Sequence, residues 1–257
     1  MMLVTILMVK DEVDIIAACL CDRLQKFDLV AIVDSSTDGT SAICKDVQNR
    51  YPDRVLYAWD NTPFSEKYYR GFLYNMLKDH GVTDNDWIWQ LDTDIFFEGD
   101  KSAIIEANEK ADSQGANCII CKIRQFYLTY EDIKQKTHWK DFKYHSINWQ
   151  SKIIYKGLST LYLKGASQET PTIPNEKKAT FTLLVNHYQY RSVDQIKKKV
   201  PRAFASPGYA HIITDDYKYY IIDSEFLSKL GDDKHRRPHH SWRSLVSLTK
   251  EKNDAKK

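Results

Sequence analysis

Trp87-Ile88-Trp89-Gln90-Leu91-Asp92-Thr93-Asp94-Ile95-Phe96-Phe97 sets two carboxylates, two residues apart, between runs of large apolar side chains. The stretch reads as a buried strand that ends in a pair of acids. Ionised carboxylates are costly to hold against apolar surroundings, so the pair needs a cation or a dense set of hydrogen-bond donors. A divalent metal with a taste for hard oxygen ligands, Mg2+ or Mn2+, meets that need and keeps positions open for phosphate oxygens. A short acidic pair in a solvated turn is the plainer alternative, and position in the fold decides between them.

Upstream, Leu3 to Val9 is a continuous apolar run followed by Lys10-Asp11-Glu12 and a helical pattern through Ile15, Ile16, Cys19, Leu20 and Leu24. The unit then recurs. Leu29 to Val33 is a strand, Asp34 to Thr40 a loop of capping and turn residues, and Ser41 to Asn49 a helix. Val55 to Trp59 is a third strand, Pro63 to His80 a helix, and Trp87 to Leu91 the fourth strand. Runs buried on both faces and alternating with helices predict an α/β fold with a mainly parallel central sheet flanked by helices. Such sheets bind ligands at the carboxyl ends of their strands. Three polar loops, Lys10 to Glu12, Asp34 to Thr40 and Asp92 to Asp94, are therefore expected to converge on one cleft.

Beyond the acid pair, Ser102 to Gln114 reads as a helix and Asn117 to Arg124 as a strand. Phe126 to Pro174 shows no sustained period and is rich in Tyr, Trp, Lys and His, the composition of an irregular binding region. Thr180 to Asn186 returns to a strand, Val193 to Val200 is a short basic helix, and a helix at Ser224 to Leu230 precedes a basic tail. The 257 residues suit one large domain, with a first half at 1–125, a second at 126–200 and a C-terminal extension at 201–257.

Lys+Arg 37 against Asp+Glu 35 gives a net charge of +2, too balanced for nucleic acid as the main partner. No apolar run approaches the roughly 20 residues of a spanning helix, and Leu3 to Val9 is too short for a secretory signal. A cytoplasmic protein is expected. Its five cysteines, Cys19, Cys21, Cys44, Cys118 and Cys121, are then free thiols. Cys118 and Cys121 have the spacing of half a zinc site, but residues three apart on a strand point to opposite faces and no second pair accompanies them.

Met8-Val9-Lys10-Asp11-Glu12, Val33 to Thr40 and Asp92-Thr93-Asp94, in that order and spacing, resemble the family 2 glycosyltransferases of the GT-A (Rossmann-like) fold. The resemblance covers about the first 125 residues, and extends weakly into His187-Tyr188-Gln189-Tyr190-Arg191-Ser192. It implies transfer of a sugar from a nucleotide diphosphate sugar, UDP-linked by preference, to an acceptor hydroxyl on a glycan or glycolipid, as in bacterial surface polysaccharide synthesis. Carried over by position, Val9, Glu12, Asp34, Arg70, Asp92 and Thr93 would line the nucleotide. Asp92, Asp94 and His187 would hold Mn2+ or Mg2+.

Several residues have rival readings. Asp34 and Asp38 are also placed to cap the next helix, Arg70 to lie solvated on its own helix, and His187 to be a satisfied strand-end histidine. Trp149, Tyr155, Tyr190 and Arg191 are candidates for the acceptor, with aromatic faces for sugar rings, or else for a second small core. An inverting transfer needs a general base. The family's acidic motif is missing, which leaves Glu169 and Asp132 as candidates without a motif around either. The basic tail from Lys234 to Arg243, with Trp242 and the apolar Leu245, Val246 and Leu248, suits contact with an anionic membrane surface. Two other functions remain open. One is a non-catalytic sugar-nucleotide or glycan-binding protein on a degenerate transferase scaffold. The other is a haloacid dehalogenase-type phosphatase, whose Asp-x-Asp belongs after the first strand.

Overall fold

The computed structural model describes residues 1–61, 66–162, 173–204 and 216–223. In order they form β1 (Leu3–Val9), α1 (Ile16–Lys26), β2 (Leu29–Asp34), α2 (Thr40–Arg50), β3 (Val55–Trp59), α3 (Glu66–Asp79), β4 (Trp87–Gln90), β5 (Ile95–Phe97), α4 (Lys101–Ser113) and β6 (Cys118–Phe126). There follow α5 (Tyr130–Gln135), β7 (His145–Lys156), β8 (Lys178–His187) and α6 (Val193–Phe204). The strands lie in the order β3-β2-β1-β4-β7-β6-β8-β5. β1 pairs in parallel with β2 and β4, β2 in parallel with β3, and β7 runs antiparallel to β4. The expected fold class holds: an α/β, Rossmann-like sheet of the GT-A type, mostly parallel and flanked by helices.

The chain divides into two compact units, Met1–Cys121 with Ser151–Val185, and Lys122–Gln150 with Asn186–Lys257. In the first unit the strands bury both faces because successive side chains point to opposite sides. Val4 and Ile6 of β1, Leu29, Ala31 and Val33 of β2, and Ile88 of β4 pack under Tyr69, Leu73 and Leu77 of α3. Leu7 and Val9 of β1 with Val30 and Ile32 of β2 face Ile16, Cys19 and Leu20 of α1 and Cys44 of α2. Trp89 sits edge-on to Phe27 and Phe97, at 5.8 and 5.3 Å between centroids, and its indole N–H donates to Asn108 of α4 at 3.3 Å.

Residues 126–174, expected to be irregular, contain the 12-residue strand β7. Its last residues explain why the first unit takes back 151–185: Ile154, Tyr155 and Lys156 pair with Trp89, Ile88 and Trp87 of β4. Ile153, Ile154 and Tyr155 are buried in succession, as a strand covered on both faces requires. Cys19, Cys44, Cys118 and Cys121 are buried free thiols, and Cys21 is an exposed one. Among the described residues no helix is long and apolar enough to cross a membrane. The helix expected at Ser224 to Leu230 and the basic tail lie outside the described residues.

Candidate functional site

The chain builds β1, β2 and β3 outward in one direction, then returns to place β4 on the other side of β1. That reversal falls between β1 and β4, whose carboxyl ends are the usual ligand position in an open α/β sheet. Both the Lys10 to Glu12 loop and the Asp92 to Asp94 loop flank it.

The loops after β1 and β2 are laced together. Asp11 has φ +53°, a left-handed conformation that Asp tolerates better than most residues. Its N–H donates to Ser36 Oγ at 2.7 Å, and its Oδ1 accepts the Thr37 N–H at 2.7 Å. Lys10 Nζ donates to the Ser35 carbonyl at 2.5 Å, Ser35 N–H to the Val9 carbonyl at 3.0 Å, and Glu12 N–H to Thr40 Oγ1 at 3.0 Å. Asp38 accepts from Thr40 N–H at 2.9 Å at the start of α2, although Gly39 occupies the N-cap position itself.

Asp34 is fully buried. Its Oδ1 accepts from the Ser36 N–H at 2.8 Å, and its Oδ2 from Ser41 Oγ at 2.6 Å and the Tyr57 hydroxyl at 2.9 Å. Burial first, and then the Asp34 carboxylate, push the Tyr57 phenol well above its ordinary value, so Tyr57 stays a donor. The carboxylate expected to meet the nucleotide base is thus held by donors from its own loop, the start of α2 and β3. Val9, likewise fully buried, contributes its carbonyl to the lacing.

Glu12 and Asp94, at 8% and 4% exposure, are both largely withdrawn from water. They follow different strands, β1 and β4, yet both act electrostatically on Cys19 of α1. Burial, chiefly, pushes that thiol up to about 11; Arg23 opposes the rise, and Asp22, Asp94 and Glu12 add to it. Asp92 is exposed and Thr93 is buried. The acid turn closes through Ile95 N–H to the Asp92 carbonyl at 3.1 Å.

Arg23, which the sequence reading missed, fastens that turn from beneath. Its guanidinium is fully buried, donates to the carbonyls of Ile95 and, at 3.3 Å, Asp92, and lies 5.4 Å from the Phe96 ring centroid. Nη1 pairs with Asp22 at 2.5 Å. A signal was present: Arg23 falls four residues after Cys19 on the core-facing stripe of α1, where a cation has no business without a buried acceptor.

Arg70 is buried rather than solvated on α3. Its charge reaches the Tyr155 phenol, which burial nonetheless pushes well up. Tyr155 is a core residue, its hydroxyl 3.4 Å from Gln90 Oε1, so its ring offers no face to an acceptor. Hard oxygen donors such as the Asp92 and Asp94 carboxylates suit Mg2+ or Mn2+, ions usually held by one or two carboxylates with phosphate oxygens and water. Among the described residues no group of three or more His, Cys, Asp or Glu side chains gathers in a metal-binding arrangement.

The remaining expected residues belong to the second unit or fall outside the described residues. His187 ends β8 half-buried. Tyr190 is fully buried against Tyr220, at 5.1 Å between centroids, and Arg191 donates to the Tyr188 carbonyl at 2.9 Å. Tyr188 stacks on Phe126 at 4.6 Å and meets Trp139 edge-on at 4.7 Å. Tyr190 and Arg191 are thus both buried within the second unit, which has to bury its own apolar surface. Asp132 is the N3 residue of a capping box: Thr129 N–H and Oγ1 both donate to its Oδ2, at 3.0 and 2.6 Å. Glu169 and the side chain of Trp149 lie outside the described residues.

No family model matches the chain, and no curated protein does. Among solved structures, a 4-diphosphocytidyl-2C-methyl-D-erythritol synthase aligns with a TM-score of 0.40 and 10% identity over 64% of this chain and 81% of its own. HddC from Yersinia pseudotuberculosis aligns with a TM-score of 0.35 and 12% identity over 74% of this chain and 91% of its own. Likeness at this level carries no conclusion about activity.

Proposed function

We propose that this protein is a metal-dependent glycosyltransferase that moves a sugar from a nucleotide diphosphate sugar to an acceptor hydroxyl on a glycan or glycolipid. One observation carries the reading. Two largely buried carboxylates, Glu12 after β1 and Asp94 after β4, flank the point where the strand order reverses, on loops fixed by internal hydrogen bonds. Asp92 and Asp94 would hold Mg2+ or Mn2+, which when bound neutralises charge on a departing diphosphate. Arg23 keeps the acid turn in place through its carbonyls, and Glu12 offers an acceptor for a nucleoside hydroxyl.

A second reading, a protein that binds the sugar nucleotide without transferring it, is favoured by the capping box that engages Asp132, one of two candidate bases. The phosphatase reading is not favoured, because the Asp-x-Asp pair follows β4 while β1 is followed by Lys10-Asp11-Glu12. A panel of nucleotide sugars with Mn2+, read by nucleotide release, separates these cases. Release with one donor, lost in Asp94→Ala, is expected for the transferase. Under saturating donor the melting temperature also rises, by the equivalent of about 2.7 kcal/mol at a hundred times Kd. Absence of a thermal shift with every nucleotide and metal combination sinks both nucleotide readings, and a shift without release or transfer favours the binding protein.

A further inference from the structure

We infer that Trp59 is the surface on which the nucleobase of the donor stacks, an inference that rests on the nucleotide-sugar reading above. Trp59 ends β3 with 50% of its surface exposed, whereas Trp87 and Trp89 are fully buried and Trp139 nearly so. A lone exposed aromatic is unremarkable on a protein surface. This one is anchored: its indole N–H donates to the Ser36 carbonyl at 3.3 Å, within the loop that Asp34 opens. The next residue fixes the same corner, since Asp60 N–H donates to the Asp34 carbonyl at 2.9 Å. Tyr68, 46% exposed, donates its hydroxyl to Asp60 Oδ2 at 2.9 Å. An indole whose polar edge is already engaged presents its π face, and holding the ring in one orientation lowers the ordering cost of stacking.

Strand order supplies the direction. From β4 the sheet passes through β1 and β2 to β3, three spacings of about 4.8 Å, or roughly 14 Å in all. An extended nucleoside diphosphate has a reach of that order, so a diphosphate at Asp92 and Asp94 and a ribose over Glu12 leave the base at the end of β3. Asp34, between them, is fully buried with three donors on its carboxylate. Recognition of the base therefore falls to the Trp59 face rather than to the Asp34 carboxylate. Stacking accepts any base, so base identity is read weakly at this position.

The test measures binding of UDP and of pyrophosphate, each with Mn2+, to the full chain by calorimetry and by intrinsic fluorescence. Trp59→Ala is expected to weaken UDP by about tenfold or more and to leave pyrophosphate unchanged. Trp59→Phe keeps UDP binding close to wild type but abolishes most of the UDP-induced quenching, because Trp59 is the emitter in contact with the base. Equal UDP affinity in Trp59→Ala, or loss of pyrophosphate binding along with UDP, overturns the inference while leaving the transferase reading standing. Failure of the wild-type chain to bind UDP, CDP, GDP, ADP or dTDP overturns both.

Discussion

Arg23→Met removes the buried cation beneath the acid turn while keeping most of the side-chain stem, so the cavity left behind is small. What is lost is the donor to the Ile95 carbonyl and, at 3.3 Å, the donor to the Asp92 carbonyl. Asp22 loses one partner but keeps Lys26 at 2.6 Å, and its side chain, 19% exposed, can be hydrated. Leaving the Ile95 carbonyl without this donor in the interior costs about 1–3 kcal/mol, whereas the Asp92 carbonyl keeps the Ile95 N–H at 3.1 Å and adds little, so the total comes to about 1–3 kcal/mol. For a chain of this length that is a fall in Tm of about 2–12 °C. Urea unfolding followed by circular dichroism gives the free energy. Manganese titration of the folded variant then shows whether the turn still presents Asp92 and Asp94, and weaker binding is expected. Arg23→Lys, which keeps the charge but not the fork, is expected to fall between the two. Stability within about 0.5 kcal/mol of wild type, with unchanged manganese affinity, would refute the reasoning.

Asp34→Asn turns a donor toward the Ser36 N–H, Ser41 Oγ or the Tyr57 hydroxyl, and is expected to cost about 2–4 kcal/mol in urea unfolding; a loss below about 0.5 kcal/mol would show that the loop repacks without it. For the thiols, brief iodoacetamide treatment at pH 8 is expected to label Cys21 and spare Cys19, Cys44, Cys118 and Cys121 until the chain is unfolded, as read by peptide mass spectrometry. Burial raises the Cys19 thiol from its ordinary 9.0 to about 11, so above pH 9.0 the unfolded chain releases that proton more readily than the folded one. Its contribution to stability is full below pH 9.0 and disappears as the pH rises through 11. Cys19→Ala should flatten that alkaline limb.

The β1 to β4 half of the fold was legible because each strand is an unbroken apolar run and each helix shows its period, and Val55–Trp59 falls where expected to the residue. β7 was missed although its period was there. Ile147, Trp149, Ile153 and Tyr155 alternate with Ser146, Asn148, Gln150 and Lys152, and only Ser151 interrupts the apolar set. An alternating strand has half the apolar density of the continuous runs of β1 to β4, so it stands out less from irregular sequence. Arg23 was legible as an anomaly on an apolar stripe, but its partners lie about 70 residues away, in a turn that no local pattern connects to α1. Tyr155 and Tyr190 show the limit of composition: a ring that suits a sugar suits a core equally well, and only burial separates the two.

Acids at this end of the sheet have a structural role as well, for a physical reason. At the carboxyl end of a parallel sheet the chain leaves its ladder, and the N–H groups of the loops need acceptors that the strands no longer supply. Asp11, Asp34 and Asp38 accept from Ser36, Thr37, Thr40, Ser41 and Tyr57, all within the loop after β2, at the start of α2 or on the neighbouring strand. Loops dense in Asp, Ser and Thr thus carry carboxylates for their own rigidity, beside any they present to a ligand. That rigidity has a functional side. Glu12 and Asp94 sit on loops that are already ordered, so on the proposed reading a nucleotide would have little ordering to impose and more of its interaction energy would appear as affinity. The carboxylates that brace the loops would then set the precision of Glu12 and Asp94. For that reason Asp34→Asn is expected to weaken nucleotide binding without its carboxylate ever touching the ligand.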